Sequence, residues 1–391
     1  MKYNFDKLAG RRGTSAEKVE GLKHIWGRTD LIPLWVADMD FATAPFVTDA
    51  IRKRCENEVL GYTGKPDSYY NAIINWVKQR YDLIVTKEVI NFVPGIVPGI
   101  GMAMNCFTQK GDKVMIQPPV YHPFAWVTTR NERTLVINPL RWENGMYRMD
   151  LDAFREQIKG CKLFILCNPH NPGGVVWTEA ELRAIADICY DEKVLVFSDE
   201  IHADLTLPPH THRPFATVSE KARMNSVTFM SPSKAFNMPG LSASHALIFN
   251  EDLRKRFRIY MDAGELDMGH VFAFLSVEAA YSHGTEWLDQ CLAYIQGNID
   301  FVDEFLKKHA PKIKAIRPEA SYLVWLDCRE LELSQKDLNE FFVDKAHLAL
   351  NDGAMFGKEG IGFMRLNVAS PRCIIEKAMK QLADAYQLYI K

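Results

Sequence analysis

The chain has 391 residues, more than one simple core needs and enough for two packed units. Its 47% hydrophobic and 25% charged residues are ordinary for a globular protein, and 47 Lys plus Arg against 49 Asp plus Glu exclude a nucleic-acid binder held by bulk electrostatics. No run of about 18 apolar residues suggests a membrane span. Residues 1–6 lack the apolar run of a signal peptide. Eight scattered cysteines without a C-x-x-C pair argue against a metal site or disulfide framework and for a reduced, cytoplasmic compartment.

Residues 1–45 read as irregular, with Trp35-Val36-Ala37-Asp38-Met39-Asp40-Phe41 as a mixed run. Helical patterns follow near 46–58 and 67–80. From residue 90 short apolar runs alternate with helical patterns, at 90–93, 114–116, 135–137, 163–167, 194–197, 227–230 and 246–249. The segment 178–191, between two of them, is apolar at Leu182, Ile185, Ala186 and Cys189. This rhythm predicts an α/β fold with a mostly parallel, seven-stranded sheet covered on both faces. It changes after about residue 268. An amphipathic helix is expected over 285–309, stopped by Pro311, then a strand at 322–326, a helix near 334–346, a strand at 362–367 and a closing helix at 371–389. The expected organisation is a large domain, 46–284, and a smaller α+β domain from 1–45 and 285–391.

Three successive candidate strands end in polar clusters: Asn168-Pro169-His170-Asn171-Pro172-Gly173-Gly174, Ser198-Asp199-Glu200-Ile201-His202 and Ser231-Pro232-Ser233-Lys234. In open α/β sheets ligands bind outside the carboxyl ends of the strands, so the three point at one crevice. Singly, each has a plainer reading as turn punctuation, helix cap or solvated lysine. Pyridoxal 5′-phosphate (PLP) satisfies all three together. Its aldehyde takes a lysine amine (Lys234), and its pyridine nitrogen takes a carboxylate that keeps it protonated (Asp199). Its ring oxygen takes neutral donors (Asn171, His202). Its phosphate takes backbone N–H groups around Ile96 and Val97, in the segment between the first strand and the start of a helical run over 101–109, with the Ser231 and Ser233 hydroxyls.

With these residues in place, the chain resembles fold-type I PLP enzymes of the class I/II aminotransferase superfamily, and within them the cystathionine β-lyase, or C–S β-lyase, subgroup of maltose-regulon-modulator type. The likeness covers essentially the whole chain. It is carried by the 35–41 run, Gly61-Tyr62, Pro118-Pro119-Val120-Tyr121-His122, the Asn168–Gly174 and Ser198–His202 phrases, Ser231-Pro232-Ser233-Lys234-Ala235-Phe236-Asn237 and Arg365-Leu366-Asn367. The resemblance implies that Tyr121 stacks on the pyridine ring and acts in catalysis. It implies that Tyr62 reaches the site of a neighbouring subunit in a homodimer, and that Arg365 and the backbone of Ala37 hold the substrate carboxylate. One departure stands out: Ser242 occupies the position, eight residues after the lysine, where many aminotransferases carry a phosphate-gripping arginine. That shifts the load to backbone and hydroxyl donors.

His210 and His212 read as a solvated loop, and Asp38 and Asp40 as structural groups near the entrance. The core residues serve elimination and transamination equally, because both begin with removal of the α-proton by Lys234. The resemblance favours β-elimination from L-cystathionine or a related S-substituted cysteine. An aminotransferase, and an added role as partner of a transcription regulator, stay open at this point.

Overall fold

The computed structural model describes residues 2–389; Met1, Ile390 and Lys391 lie outside the described residues. Its central element is a seven-stranded sheet of β1 (Ile90–Val93), β2 (Lys113–Ile116), β3 (Thr134–Ile137), β4 (Cys161–Cys167), β5 (Leu195–Asp199), β6 (Ser226–Met230) and β7 (Ser244–Leu247), in the order β1-β7-β6-β5-β4-β2-β3. Neighbours from β6 through β3 pair in parallel; β7 runs antiparallel to both β1 and β6. The apolar runs locate all seven strands, but they carry no sign of direction, so the reversal of β7 is not visible in them.

The continuous apolar character of these strands comes from burial on both faces. Along β4, Leu163, Ile165 and Cys167 join one cluster with Ile96, Ile100 and Phe257, while Phe164 and Leu166 join another with Leu182, Ile185 and Phe154. Each fully buried large side chain contributes roughly 1.5–3 kcal/mol. Helix α1 (Ile96–Phe107) lies against β1 and β6 through Gly99, where a Cβ would meet Val93 Cγ2 at 2.9 Å and the Phe229 ring at 3.1 Å. It begins five residues earlier than its apolar pattern suggests, directly after Gly95. That places its first turn at the carboxyl end of β1.

A second, antiparallel sheet contains β8 (Lys314–Ile316), β9 (Leu323–Asp327), β10 (Asn351–Asp352) and β11 (Phe363–Asn367), in the order β8-β9-β11-β10. Alternation along β11 buries Met364 and Leu366 in the main core and turns Phe363, Arg365 and Asn367 to the other face. The long helix α2 (Thr285–His309) matches the amphipathic pattern and packs Leu288, Ile295, Ile299 and Val302 into the same core. The first 45 residues are more ordered than the sequence suggests. They contain a helix, Glu17–Trp26, and a short strand, Ile32–Pro33, paired in parallel with Leu348–Ala349.

This N-terminal segment is pinned where it passes the sheet. Asn237 accepts from the Met39 N–H at 2.9 Å and donates to the carbonyls of Met39 and Phe41. Asn367 donates to the carbonyls of Val36 and Asp38, both at 2.7 Å. Asp38 and Asp40 are held by Arg11 and by Lys18, a fully buried lysine whose Nζ lies 2.8 Å from Asp40 Oδ2. Their role is structural: two anions balance two cations, so the buried charge is compensated.

Candidate active site

A cavity of about 290 Å³ opens at the carboxyl ends of β1, β4, β5 and β6. Its wall includes Ile96, Val97, Tyr121, Asn171, Asp199, His202, Ser233 and Lys234. Eight of the twelve residues expected at the site therefore share one cavity. The three polar clusters converge because their strands are consecutive neighbours in the sheet, β4-β5-β6.

Asp199 is the last residue of β5 and is buried. Its Oδ1 accepts from the Ile201 N–H at 3.0 Å. Burial pushes its carboxyl up to about 7, opposed by that hydrogen bond and by Lys234. Burial likewise lowers the Lys234 amine to about 8, opposed by Asp38 and reinforced by Arg365. Lys234 Nζ donates to the Ala37 carbonyl at 2.6 Å, and that carbonyl also accepts from the Tyr322 hydroxyl at 2.9 Å. Asn171 accepts from Arg365 Nη1 at 3.1 Å, which leaves its donor end, Nδ2, for the cavity. Burial, Lys234 and Arg365 hold the His202 imidazole down at about 3, so it is neutral at pH 7, and its buried Nδ1 has no partner among the described residues. Tyr121 is pushed up by burial and by Asp199, which keeps its hydroxyl protonated.

Arg365 stands beside the cavity on β11. Its Nη2 donates to Asn351 Oδ1 at 2.5 Å and to the Trp35 carbonyl at 3.2 Å, and its guanidinium lies 4.7 Å from the centre of the Phe356 ring. Burial lowers it to about 10, so it remains a cation at neutral pH. Its buried Nε has no partner among the described residues. A buried guanidinium with a free donor suits a carboxylate.

The chemistry of this donor set fits PLP. The first N–H groups of α1, at Ile96 and Val97, have no intrahelical acceptor, since the first helical bond is Gly99 N–H to the Gly95 carbonyl. With the Ser233 hydroxyl they form an anion cup at a twelve-residue helix. A carboxyl raised by burial favours a cationic ring nitrogen, and a lysine amine lowered toward neutrality suits attack on an aldehyde.

Two placements differ from the sequence reading. Ser231 donates its hydroxyl proton to the Ala243 carbonyl at 2.7 Å and accepts from the Ser233 N–H at 3.1 Å. It braces the lysine turn and does not line the cavity. His212 is not in a solvated loop. It is buried, with Nε2 at 2.8 Å from Glu200 Oε2. Tyr62 is 98% exposed and lies away from the site of its own chain. Sequence reasoning missed Asn351, Tyr322 and the cavity-lining Cys167. Ser242, noted there only as the residue in place of an arginine, also lines the cavity.

A family model for aminotransferase class I and II matches residues 29–382. The chain belongs to this family. Among characterised members, it is 38% identical over 384 residues to the cystathionine β-lyase PatB of Bacillus subtilis (strain 168), covering 98% of this chain and 99% of that one. It is 30% identical to the protein MalY of Escherichia coli (strain K12), over 98% of both. Among solved structures of the family, cystalysin from Treponema denticola, which contains a PLP cofactor, superposes with a TM-score of 0.96 at 33% identity and full coverage of both chains. The PLP-bound C–S lyase from Staphylococcus hominis gives 0.91 at 34% identity, covering 99% of this chain and 98% of that one.

Proposed function

We propose that the protein is a PLP-dependent C–S β-lyase that cleaves L-cystathionine or a related S-substituted cysteine to a thiol, pyruvate and ammonia. The observation that carries this reading is the gathering of Lys234, Asp199, Asn171 and Tyr121 around one cavity beside Arg365, in a chain 38% identical along nearly its whole length to a cystathionine β-lyase.

Bound PLP supplies an electron sink for the pair released at the substrate α-carbon. Lys234 would hold the cofactor through Nζ and would take the substrate α-proton on that same atom; an amine lowered to about 8 is matched to that task near neutral pH. Asp199 would keep a proton on the ring nitrogen. Asn171 Nδ2 and His202 would donate to the ring oxygen. Tyr121 would cover the ring face, and Ser233 with the Ile96 and Val97 N–H groups would hold the phosphate. Arg365 grips the α-carboxylate, and the Ala37 carbonyl receives the lysine or the substrate amine. The C–S bond at Cβ breaks as the thiolate takes its bonding pair and the α-carbon pair forms the Cα–Cβ double bond; one water then converts the released enamine to pyruvate and ammonia.

We read the protein as a cytoplasmic homodimer in which Tyr62 reaches the partner's site. The eight free cysteines and the near-complete exposure of Tyr62, beside exposed Val59 and Leu60, support this. The large unit spans 46–284 and the small one 1–45 with 285–391, supported by the separation of the two sheets along the chain. Borohydride reduction of the purified yellow protein, followed by peptide mapping, tests the cofactor assignment: the pyridoxyl group is expected on Lys234, and a protein that takes up no PLP contradicts it.

A further inference from the structure

Another cavity, of about 460 Å³, is walled by residues 8–12, the helix Glu17–Trp26 and the start of the closing helix Arg372–Tyr389. It shares no lining residue with the cofactor cavity, so its occupant is a molecule separate from the substrate. Its walls are mostly apolar, with Leu8, Val19, Leu22, Leu31, Pro33 and Ile374. The polar residues that line it are Arg11, Arg12, Asp40 and Ser370. This size, with few polar groups set in an apolar wall, is the make-up of a small-molecule site.

The polar groups favour an anion. Ser370 is fully buried, and its hydroxyl has no hydrogen-bond partner among the described residues. Its N–H donates to the Val368 carbonyl and its carbonyl accepts from Asn298 Nδ2, both at 2.9 Å, so the hydroxyl is the polar atom left for the cavity. An unmet buried hydroxyl is costly, and a ligand oxygen removes the cost. Ser370 also stands just before an 18-residue helix, whose positive end favours negative charge. Asp40 is already matched, by Lys18 Nζ at 2.8 Å and Arg11 Nη1 at 3.0 Å. Arg12 has no carboxylate partner among the described residues; its Nη2 donates to the Thr29 carbonyl at a long 3.4 Å. The apolar walls suit a carboxylate on an apolar body, whereas a phosphate or a dicarboxylate would set charge against them. Leu8, 62% exposed, gains cover from such a body.

We propose that this cavity binds a small monocarboxylic acid with an apolar body, held by Ser370 and Arg12, and that its occupancy slows turnover through Arg11 and Asp38. Arg11 lines the cavity and also clamps both oxygens of Asp38. The peptide that joins Ala37 to Asp38 carries the carbonyl that accepts from Lys234 Nζ at 2.6 Å. Three of the contacts that Arg11 makes go to Asp38 and Asp40, and a guanidinium has five N–H donors, so two remain for a ligand. An anion that draws Arg11 leaves Asp38 less compensated beside the lysine. Asp38 favours the protonated amine of Lys234, so the base becomes less available. The link to turnover rests on Lys234 being the base; the binding site does not.

The probe is octanoate, titrated into the wild-type holoenzyme and followed by tryptophan fluorescence, since Trp26 and Trp35 pack against Leu22 and Leu31 of the wall. Saturable binding with a dissociation constant of about 1 mM or below is expected, and octylamine should not bind. Ser370→Ala should weaken binding about tenfold and Arg12→Met about threefold. Ile374→Trp, which fills the space, should abolish it. Without octanoate all three should keep wild-type kcat, and Ser370→Ala should keep its Tm because it breaks no hydrogen bond. Saturating octanoate should lower wild-type kcat by about twofold or more and leave Ile374→Trp unaffected. No binding up to about 10 mM, binding within about twofold of wild type in all three variants, or equal binding of octylamine overturns the site. Octanoate that raises KM alone, in wild type and Ile374→Trp alike, is bound at Arg365 and also overturns it. Binding that is lost in Ile374→Trp but leaves wild-type kcat unchanged overturns the link to Lys234. The fluorescence needs no turnover, so it decides the site whichever reaction the enzyme performs.

Discussion

Lys234 Nζ donates to the carbonyl of Ala37 at 2.6 Å, so the residue that would carry the cofactor and take the α-proton is tied to a segment almost two hundred positions earlier in the chain. That segment is in turn fixed by Asn237 and Asn367. Lys234→Ala removes both the attachment point and the base. We expect at least a 10²–10⁴-fold loss in pyruvate release, the usual worth of a positioned base, with loss of the yellow lysine-bound absorbance. Retained absorbance and turnover would remove Lys234 from the mechanism.

Arg365 donates to Asn171 and Asn351 while buried. Arg365→Lys keeps a charge but loses the planar fork. We expect kcat/KM to fall by roughly 2 kcal/mol or more, about 30-fold, mostly through KM. Steady-state kinetics on any accepted thioether checks this; an unchanged KM would show that the carboxylate is held elsewhere.

Asp199 makes a prediction for the apoprotein. Its folded-state carboxyl is raised from 3.8 to about 7, so between those values the folded state holds a proton that the unfolded state has released. This contribution to stability is present at low pH and is lost as pH rises through about 7, at most about 4 kcal/mol at 1.36 kcal/mol per pH unit. Asp199→Asn cannot ionise. Its apoprotein should gain in Tm relative to wild type as pH rises from 3.8, by less near pH 5 than near pH 8, while the loaded variant loses activity. A difference in Tm that does not change with pH would contradict the buried, cofactor-tuned role.

The two serines of the lysine turn should behave differently. Ser231→Ala strands the Ser233 N–H and the Ala243 carbonyl. It should cost about 1–3 kcal/mol in urea unfolding. Ser233→Ala, at the cavity wall, should chiefly speed PLP loss on dialysis. The reverse pattern would exchange their roles.

These distinctions show what was legible in the sequence. Lys234, Asp199 and Asn171 could be found because adjacent parallel strands deliver their terminal residues to one place. The role of Ser231 depends on one backbone carbonyl twelve residues away, which no pattern encodes. His212 looked solvated within Pro208-Pro209-His210-Thr211-His212, but the loop returns to cover Glu200, whose carboxylate meets His212 Nε2 and accepts from the Phe215 N–H. Asn351 meets Arg365 only through the register of two antiparallel strands. Local alternation and strand ends were readable; partners set by long-range register were not.

If Tyr62 completes the partner's site, mixing Lys234→Ala and Tyr62→Ala protomers should restore activity. Statistical exchange makes half the dimers mixed, each with one intact site, so recovery should approach about a quarter of wild type. No recovery beyond the two parents would place Tyr62 outside the neighbouring site.

The most direct test of the central claim is product analysis with L-cystathionine and no added 2-oxo acid. The PLP-loaded enzyme should release pyruvate and thiol in equal amounts, continuously, with ammonia. Product that forms only after a 2-oxo acid is supplied, with no thiol released, would contradict the lyase reading and make the protein an aminotransferase.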